Sequence, residues 1–347
     1  MEPLSERRAL ALLPRLLAEI GLPVEMERLE GRGLGVDAIL RAGKLTLALE
    51  WKGSGAAAAV AAAIEQLRRY TATHRRAIPL VAVPFMGQVG QRLCEQAQVS
   101  WLDLSGNAHI VAPGVTIHIE GRPNQFKSRG RPSSVFAPMS ARVVRWLLIH
   151  FDQAFAIREL ARATSMDAGF TSRIVARLVE SQLVARDDSG AVRVRDPNLL
   201  LESWHEAYDF TAHRVIAGHV AARTSEALVR GVAENLTRLD IDHAATGLSA
   251  AWLLTQFAGF RVATFFVREP LEDAALRELG LREDPRGANL WLVVPNDKGV
   301  FDGAELQHDI RCAHPVQVYL DLKGHPERAP EAAADLRQQL LKWGRHA

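Results

Sequence analysis

Three charged residues near the start of the chain sit where strands normally exclude charge. In GVDAILRAGKLTLALEWKGSG, residues 35–55, Asp37 lies on one apolar run, and Glu50 and Lys52 lie on the next. With Ala42 and Gly43 as a two-residue hairpin loop, Arg41 pairs with Lys44, Asp37 with Ala48 and Gly35 with Glu50. The period-two alternation of a strand then places Asp37, Glu50 and Lys52 on one face, with the two carboxylates as diagonal neighbours. Two hard oxygen ligands with water and phosphate positions left open suit Mg²⁺, and a lysine one step along can orient a water or steady a pentavalent phosphate. In AAAAVAAAIEQLRRYTATH, which reads as a helix, Gln66 and Tyr70 are four residues apart and share a face. The plainer reading is a salt-bridged strand face on a solvated edge; between the two stands an inherited fold without working chemistry.

A second set of residues suits a polyanion. The net charge is +2, but its distribution is uneven: residues 121–196 carry 13 basic and 7 acidic side chains, whereas residues 197–347 carry 16 and 21. A local basic excess points to a polyanion better than a global one does. GRPNQFKSRGRPSSVFAPMSARVVRWLLIH has six basic residues and no acidic one. Its Gly-, Pro- and Ser-rich first half reads as a linker or arm whose Arg122, Lys127, Arg129 and Arg131 can follow a phosphate backbone or enter a minor groove. Beyond it, Asp167 is positioned to cap a helix in which Thr171, Ile174, Val175 and Leu178 recur as one buried face. That leaves Gly169, Phe170, Ser172, Arg173 and Arg177 outward, with Arg193 and Arg195 on a hairpin that turns at Asp187-Asp188-Ser189-Gly190.

These residues need elements to hold them. The chain has 347 residues, so two or three domains are expected, and with hydrophobic residues at 48% each can bury a core. Ser5 can cap a helix through LALLPRLLAEI, with Pro14 a kink or a later start. VEMERLE, VDAILRA and KLTLALEWK read as strands. LVAVPFMGQVGQRLCEQAQVSWLDLSGNAHIVAPGVTIHIEG reads as strand, helix, then three strands, with a Ser105-Gly106-Asn107 turn. His109 and His118 read as sheet-surface residues without ligand spacing. Helices are expected near Ala141–His150, at IRELARAT and from Asp167. LLLESWHEAYDFTAHRVIAGH reads as a helical connector carrying His205, His213 and His219. LDIDHAATGLSAAWLLTQF reads as strand, Gly247-Leu248-Ser249 turn and helix; RVATFFV, NLWLVVPN and VQVYLDL read as strands and EAAADLRQQLLKW as a closing helix. Cys94 and Cys312 are the only cysteines, which argues against a zinc ribbon or a disulfide scaffold and fits a reducing cytosol. The N-terminus lacks a signal-peptide layout and no apolar run is long enough to span a bilayer, so a soluble cytoplasmic protein is expected.

Several of these patterns resemble known families. The Asp37…Glu50-x-Lys52 hairpin followed by Gln66-xxx-Tyr70 on a helix resembles the PD-(D/E)xK nuclease superfamily, particularly its RecB-like branch, over about residues 1–75. That resemblance implies a restriction-endonuclease-like α/β domain over residues 1–120, with Asp37 and Glu50 as Mg²⁺ ligands and an extra helix-borne acid, for which Glu19 is the available candidate. After a linker at 121–135, residues 136–196 closely resemble the winged helix-turn-helix of bacterial transcription regulators. This implies a third helix in the major groove, with Ser172 and Arg173 at base edges and Arg177, Arg193 and Arg195 on phosphates. The turn after LDIDHAAT is similar to the opening of the nucleotidyltransferase fold, but the next strand, RVATFFV, has none of the carboxylates that fold needs for Mg²⁺. Residues 197–347 are therefore expected to form a degenerate, non-catalytic α/β domain for binding, dimerisation or partner contact. The whole order looks like the antitoxin-type regulators of type IV toxin–antitoxin (abortive infection) systems. The resemblance implies an α/β multidomain protein, a homodimer, that represses its operator in double-stranded DNA, with the C-terminal part in the antitoxin role, a cognate toxin as partner and no cofactor. The alternative is a Mg²⁺-dependent DNA nuclease targeted by the winged helix. An interaction scaffold without DNA contact ranks third.

Overall fold

The structure is a computed structural model that describes residues 6–28, 35–126, 135–257 and 259–343. The chain divides into two units, Met1–Ser133 and Ser134–Ala347. In the first, helix α1 (Glu6–Glu19) buries Ala9, Leu10, Leu13 and Leu17, the three- and four-residue spacing of one helical stripe, and runs past Pro14 without ending. Then come β1 (Glu25–Arg28), β2 (Ala38–Ala42), β3 (Leu45–Trp51), α2 (Ala57–Thr73), β4 (Ala77–Val83), α3 (Gln88–Ala97), β5 (Ser100–Asp103), β6 (Ala108–Ala112) and β7 (Val115–Ile119). The seven strands lie in one sheet in chain order. The pairs β3–β4 and β4–β5 are parallel and the others antiparallel. Each parallel step is bridged by a helix, the long crossover that such pairs need. The α1 stripe packs on Leu40, Leu47, Leu49 and Leu80 of one sheet face. Val60, Ala63, Ile64 and Leu67 of α2 cover Ile39, Ala48, Val81 and Trp101 on the other.

The hairpin turns one residue later than the sequence predicts. Ala42 pairs with Leu45 and Arg41 with Thr46, so the loop is Gly43-Lys44 and not Ala42-Gly43. Gly43 has φ +58°, which the first position of a type II′ loop requires and an L-residue there resists. The register moves by two residues. Because strand faces alternate with period two, every side chain keeps its expected face.

The second unit begins with α4 (Pro138–Ile149), α5 (Ile157–Ala163), α6 (Ala168–Glu180) and the antiparallel hairpin β8 (Val184–Arg186) and β9 (Val192–Val194). It continues with α7 (Pro197–Ala207), β10 (Arg214–His219), α8 (Ser225–Arg238), β11 (His243–Thr246), α9 (Gly247–Thr255), β12 (Ala263–Val267), α10 (Asp273–Glu278), β13 (Arg282–Glu283), β14 (Leu290–Val294), β15 (Glu305–Gln307), β16 (Ile310–Cys312), α11 (Pro315–Asp321) and α12 (Ala329–Leu340). Its seven-stranded sheet is mixed, in the order β13-β10-β14-β12-β11-β16-β15.

Two expectations fail here. RVIAGH is no part of a helical connector: α7 stops at Ala207, and β10 pairs antiparallel with β14. VQVYLDL is no strand. Pro315 opens α11, whose N-cap His314 accepts from the Val316 N–H at 3.2 Å, and every residue from Val316 to Asp321 is buried. A helix buried all round has no polar face, so its valines mimic a strand. Helix α8 lies outside the expected elements, and Thr224 caps it through the Ala227 N–H at 3.1 Å. Cys94 in the first unit and Cys312 in the second are free and buried, and burial pushes each thiol up to about 12. Among the described residues no helix is long and apolar enough to cross a membrane.

Candidate functional site

Glu50 sits at the end of β3 on the α2 side of the first sheet and is 2% exposed. Its Oε1 accepts from Lys52 Nζ at 2.6 Å, and its Oε2 is buried with no hydrogen-bond partner among the described residues. Burial pushes its carboxyl up to about 7; the Lys52 hydrogen bond opposes that, and the negative charges of Asp37 and Glu6 add to it. Lys52 Nζ also reaches Gln66 Oε1 at 3.5 Å. Asp37 lies just before β2 and spends one oxygen locally, its Oδ2 accepting from the Trp51 backbone N–H at 2.8 Å. Thus Asp37, Glu50, Lys52 and Gln66 come together. Tyr70, one turn further along α2, stacks on His74 with ring centroids 4.1 Å apart. Glu19 does not join them: it pairs with Arg15 in the open at 3.0 Å. The α1 acid whose charge reaches Glu50 is Glu6, in the first helical turn. Helix periodicity could not show which end of α1 approaches the hairpin. No group of three His, Cys, Asp or Glu among the described residues is arranged to hold a metal ion. A buried carboxylate oxygen without a partner, beside a lysine and a second acid, is nevertheless a donor set that Mg²⁺ fits, with further positions left to water and phosphate.

The arginine-bearing helix is built as its sequence predicts. Asp167 caps α6, its Oδ1 accepting from the Phe170 N–H at 2.9 Å. Thr171, Ile174, Val175 and Leu178 are buried, Arg173 and Arg177 are exposed, and Ser172 is half-buried. The Arg173 guanidinium lies 5.6 Å from the Phe170 ring centre, over its face. Asp187 Oδ1 ties the β8–β9 turn by accepting from the Ser189 and Ala191 N–H groups at 2.9 and 3.0 Å. The Ser189 hydroxyl bond leads the contacts that hold the Asp187 carboxyl below its ordinary value. Arg193 and Arg195 are exposed. Arg129 and Arg131, like Lys127, lie outside the described residues. Arg122 is held by its backbone, the N–H donating to Asn107 Oδ1 at 2.8 Å.

The remaining arginines of the basic stretch turn inward. Arg142 grips Asp297 with Nε 2.8 and 2.9 Å from its two oxygens. Arg145 is buried; its Nε and Nη2 donate to Gln317 Oε1 at 3.1 and 2.8 Å, and its guanidinium lies 5.1 Å from the Trp204 ring centre. A Cβ on Gly299 would stand 2.7 Å from Arg145 Nη1, so glycine leaves room for it there. Gln317 Nε2 passes the contact on to Tyr208 Oη at 3.0 Å and Asp321 Oδ1 at 2.8 Å. Tyr208 and Thr246 both donate to Asp321. His213 completes the chain: its Nδ1 accepts from the Asn296 N–H at 3.1 Å, and its Nε2 lies 2.9 Å from Tyr208 Oη. Burial pushes Asp321 up to about 6 and His213 down to about 4. No spacing in the sequence announces this network, because its members come from six separate segments.

The Gly-x-Ser turn at the head of α9 does not present a free hydroxyl. Ser249 Oγ donates to Thr246 O at 2.9 Å and accepts from the Thr264 N–H at 3.0 Å. All five residues of β12 are buried and none is acidic.

Residues 193–342 match a family model described as "Transcriptional regulator, AbiEi antitoxin, Type IV TA system". The match begins within β9 and extends through α12. No curated protein and no solved structure matches the chain significantly.

Proposed function

We propose that the chain is a DNA-binding transcriptional regulator, the antitoxin and repressor of a type IV toxin–antitoxin pair. The observation that carries this reading is α6: a capped helix with one face buried and the other presenting Arg173 and Arg177, followed by a hairpin that presents Arg193 and Arg195. Residues 136–196 act as a winged helix. In this reading α6 enters the major groove, Ser172 and Arg173 meet base edges, and Arg177, Arg193 and Arg195, with Arg129 and Arg131 of the arm, hold phosphates. The family match over residues 193–342 supports the regulator and antitoxin role, with a cognate toxin and operator DNA as partners. A homodimer would match half-sites about one helical turn apart.

The test is fluorescence anisotropy on a duplex spanning the promoter of the protein's own reading frame, from about 50 to 200 mM salt. Wild type binds with a steep salt dependence. Arg173→Ala costs roughly 1–3 kcal/mol and relaxes base preference, and Arg177→Ala lowers the salt slope by about one. A protein that ignores duplex DNA at low salt ends the proposal.

A second reading rests on Glu50 Oε2, buried and unpartnered beside Lys52. In it Asp37 and Glu50 would hold Mg²⁺, which supplies a Lewis acid and an activated water for phosphodiester cleavage. Lys52 would steady the phosphate and Gln66 would hold Lys52, with Tyr70 flanking the site. Duplex DNA cut in Mg²⁺ or Mn²⁺ by wild type, and left whole by Lys52→Ala, would establish this reading. DNA that is bound but left intact by wild type would remove it.

A further inference from the structure

We infer that His109 and His118 form a binding site for a borderline divalent transition ion, with Zn²⁺ as its simplest occupant. The two residues are nine apart in sequence and face each other across β6 and β7 as a register pair. Their Nδ1 atoms are 2.9 Å apart and their rings stand nearly perpendicular, at 85°. Two imidazole nitrogens on one tetrahedral Zn²⁺, each bonded at about 2.0–2.1 Å, stand about 3.3 Å apart. The strand register therefore holds the two nitrogens within about 0.5 Å of the separation that an ion needs, and a small rotation of either ring opens the hydrogen-bonded pair to it.

A second observation points the same way. Glu120 follows His118 by two residues, just beyond the end of β7, and its Oε1 lies 3.6 Å from His118 Nε2, the ring nitrogen turned away from His109. A carboxylate on the far nitrogen of a ligating imidazole fixes the tautomer whose near nitrogen is free to bind and raises that nitrogen's basicity. Without an ion, one Nδ1 proton is shared between the rings. With an ion, both rings carry their proton on Nε2, and Glu120 favours that form in His118. The site supplies two nitrogens and leaves the other positions to water, a neutral ligand set that favours Zn²⁺, Ni²⁺ or Cu²⁺ over Mg²⁺. It is separate from the Asp37 and Glu50 set, whose hard oxygens favour the opposite order.

The test is isothermal titration of the tag-free full chain with Zn²⁺ in excess Mg²⁺. Wild type takes up one Zn²⁺ per chain that Mg²⁺ does not displace. Glu120→Gln weakens uptake by roughly tenfold or more, as loss of an outer carboxylate does, and His118→Ala weakens it at least as much. His118 and Glu120 are both exposed, so neither substitution threatens the fold. No uptake by wild type, or an affinity unchanged in His118→Ala, overturns the assignment.

Discussion

Glu50 titrates near neutrality because its burial penalises the charge more than the Lys52 hydrogen bond offsets. Its carboxyl in the fold lies at about 7 against an ordinary 4.5, so the fold prefers the protonated acid. The stability this confers is complete below pH 4.5 and is lost as pH rises through 7, a difference of about 3 kcal/mol. Urea unfolding of wild type and Glu50→Gln should therefore diverge across that window, with wild type losing ground as pH rises. Parallel profiles would mean that the carboxyl is solvated. A divalent ion bound at the site should reverse the trend by favouring the carboxylate. Asp321 makes a second residue-scale case. Asp321→Ala removes the acceptor of the Tyr208 and Thr246 hydroxyls inside the second unit and one of the two acceptors of Gln317 Nε2. It should cost about 3 kcal/mol or more in chemical denaturation, whereas loss of an exposed carboxylate such as Glu234 should cost almost nothing.

At the scale of elements, α6 was legible because cap, period and outward charges agree in one short window. Asp167→Ala should cost about 1 kcal/mol, by loss of the bond to the Phe170 N–H, and should lower DNA affinity along with it. If the variant is as stable as wild type, the cap is satisfied by water alone. The hairpin was legible in its faces and not in its register, since Gly43 satisfies either loop by composition and only its positive φ selects one. The helix α11 was illegible because a segment buried on every side carries no periodic contrast, leaving β-branched residues to suggest a strand. The acid set shows both outcomes. Asp37, Glu50, Lys52 and Gln66 followed from alternation and helical spacing, whereas the choice of Glu6 over Glu19 depended on the approach of α1, which no local pattern encodes.

At the scale of the whole molecule, the basic middle of the chain divides its labour. Arg173, Arg177, Arg193 and Arg195 are exposed, while Arg142 and Arg145 fasten α4 to the α/β part of the same unit through Asp297 and Gln317. A count of charges cannot separate these roles, because only burial distinguishes them. Asp297→Ala leaves Arg142 without its acceptor and should cost about 3 kcal/mol. It should also turn a single calorimetric transition expected for residues 134–347 of wild type into two steps. A single unchanged transition would show that α4 is held by apolar packing alone. The two cysteines extend this view in time. Cys94 belongs to one unit and Cys312 to the other, and neither thiol is accessible or ionised in the folded chain. Each therefore serves as a built-in clock: a disulfide reagent in solution can strike it only while its own unit is open. Two separate labelling rates would then time the breathing of the two halves of the chain, with no added probe.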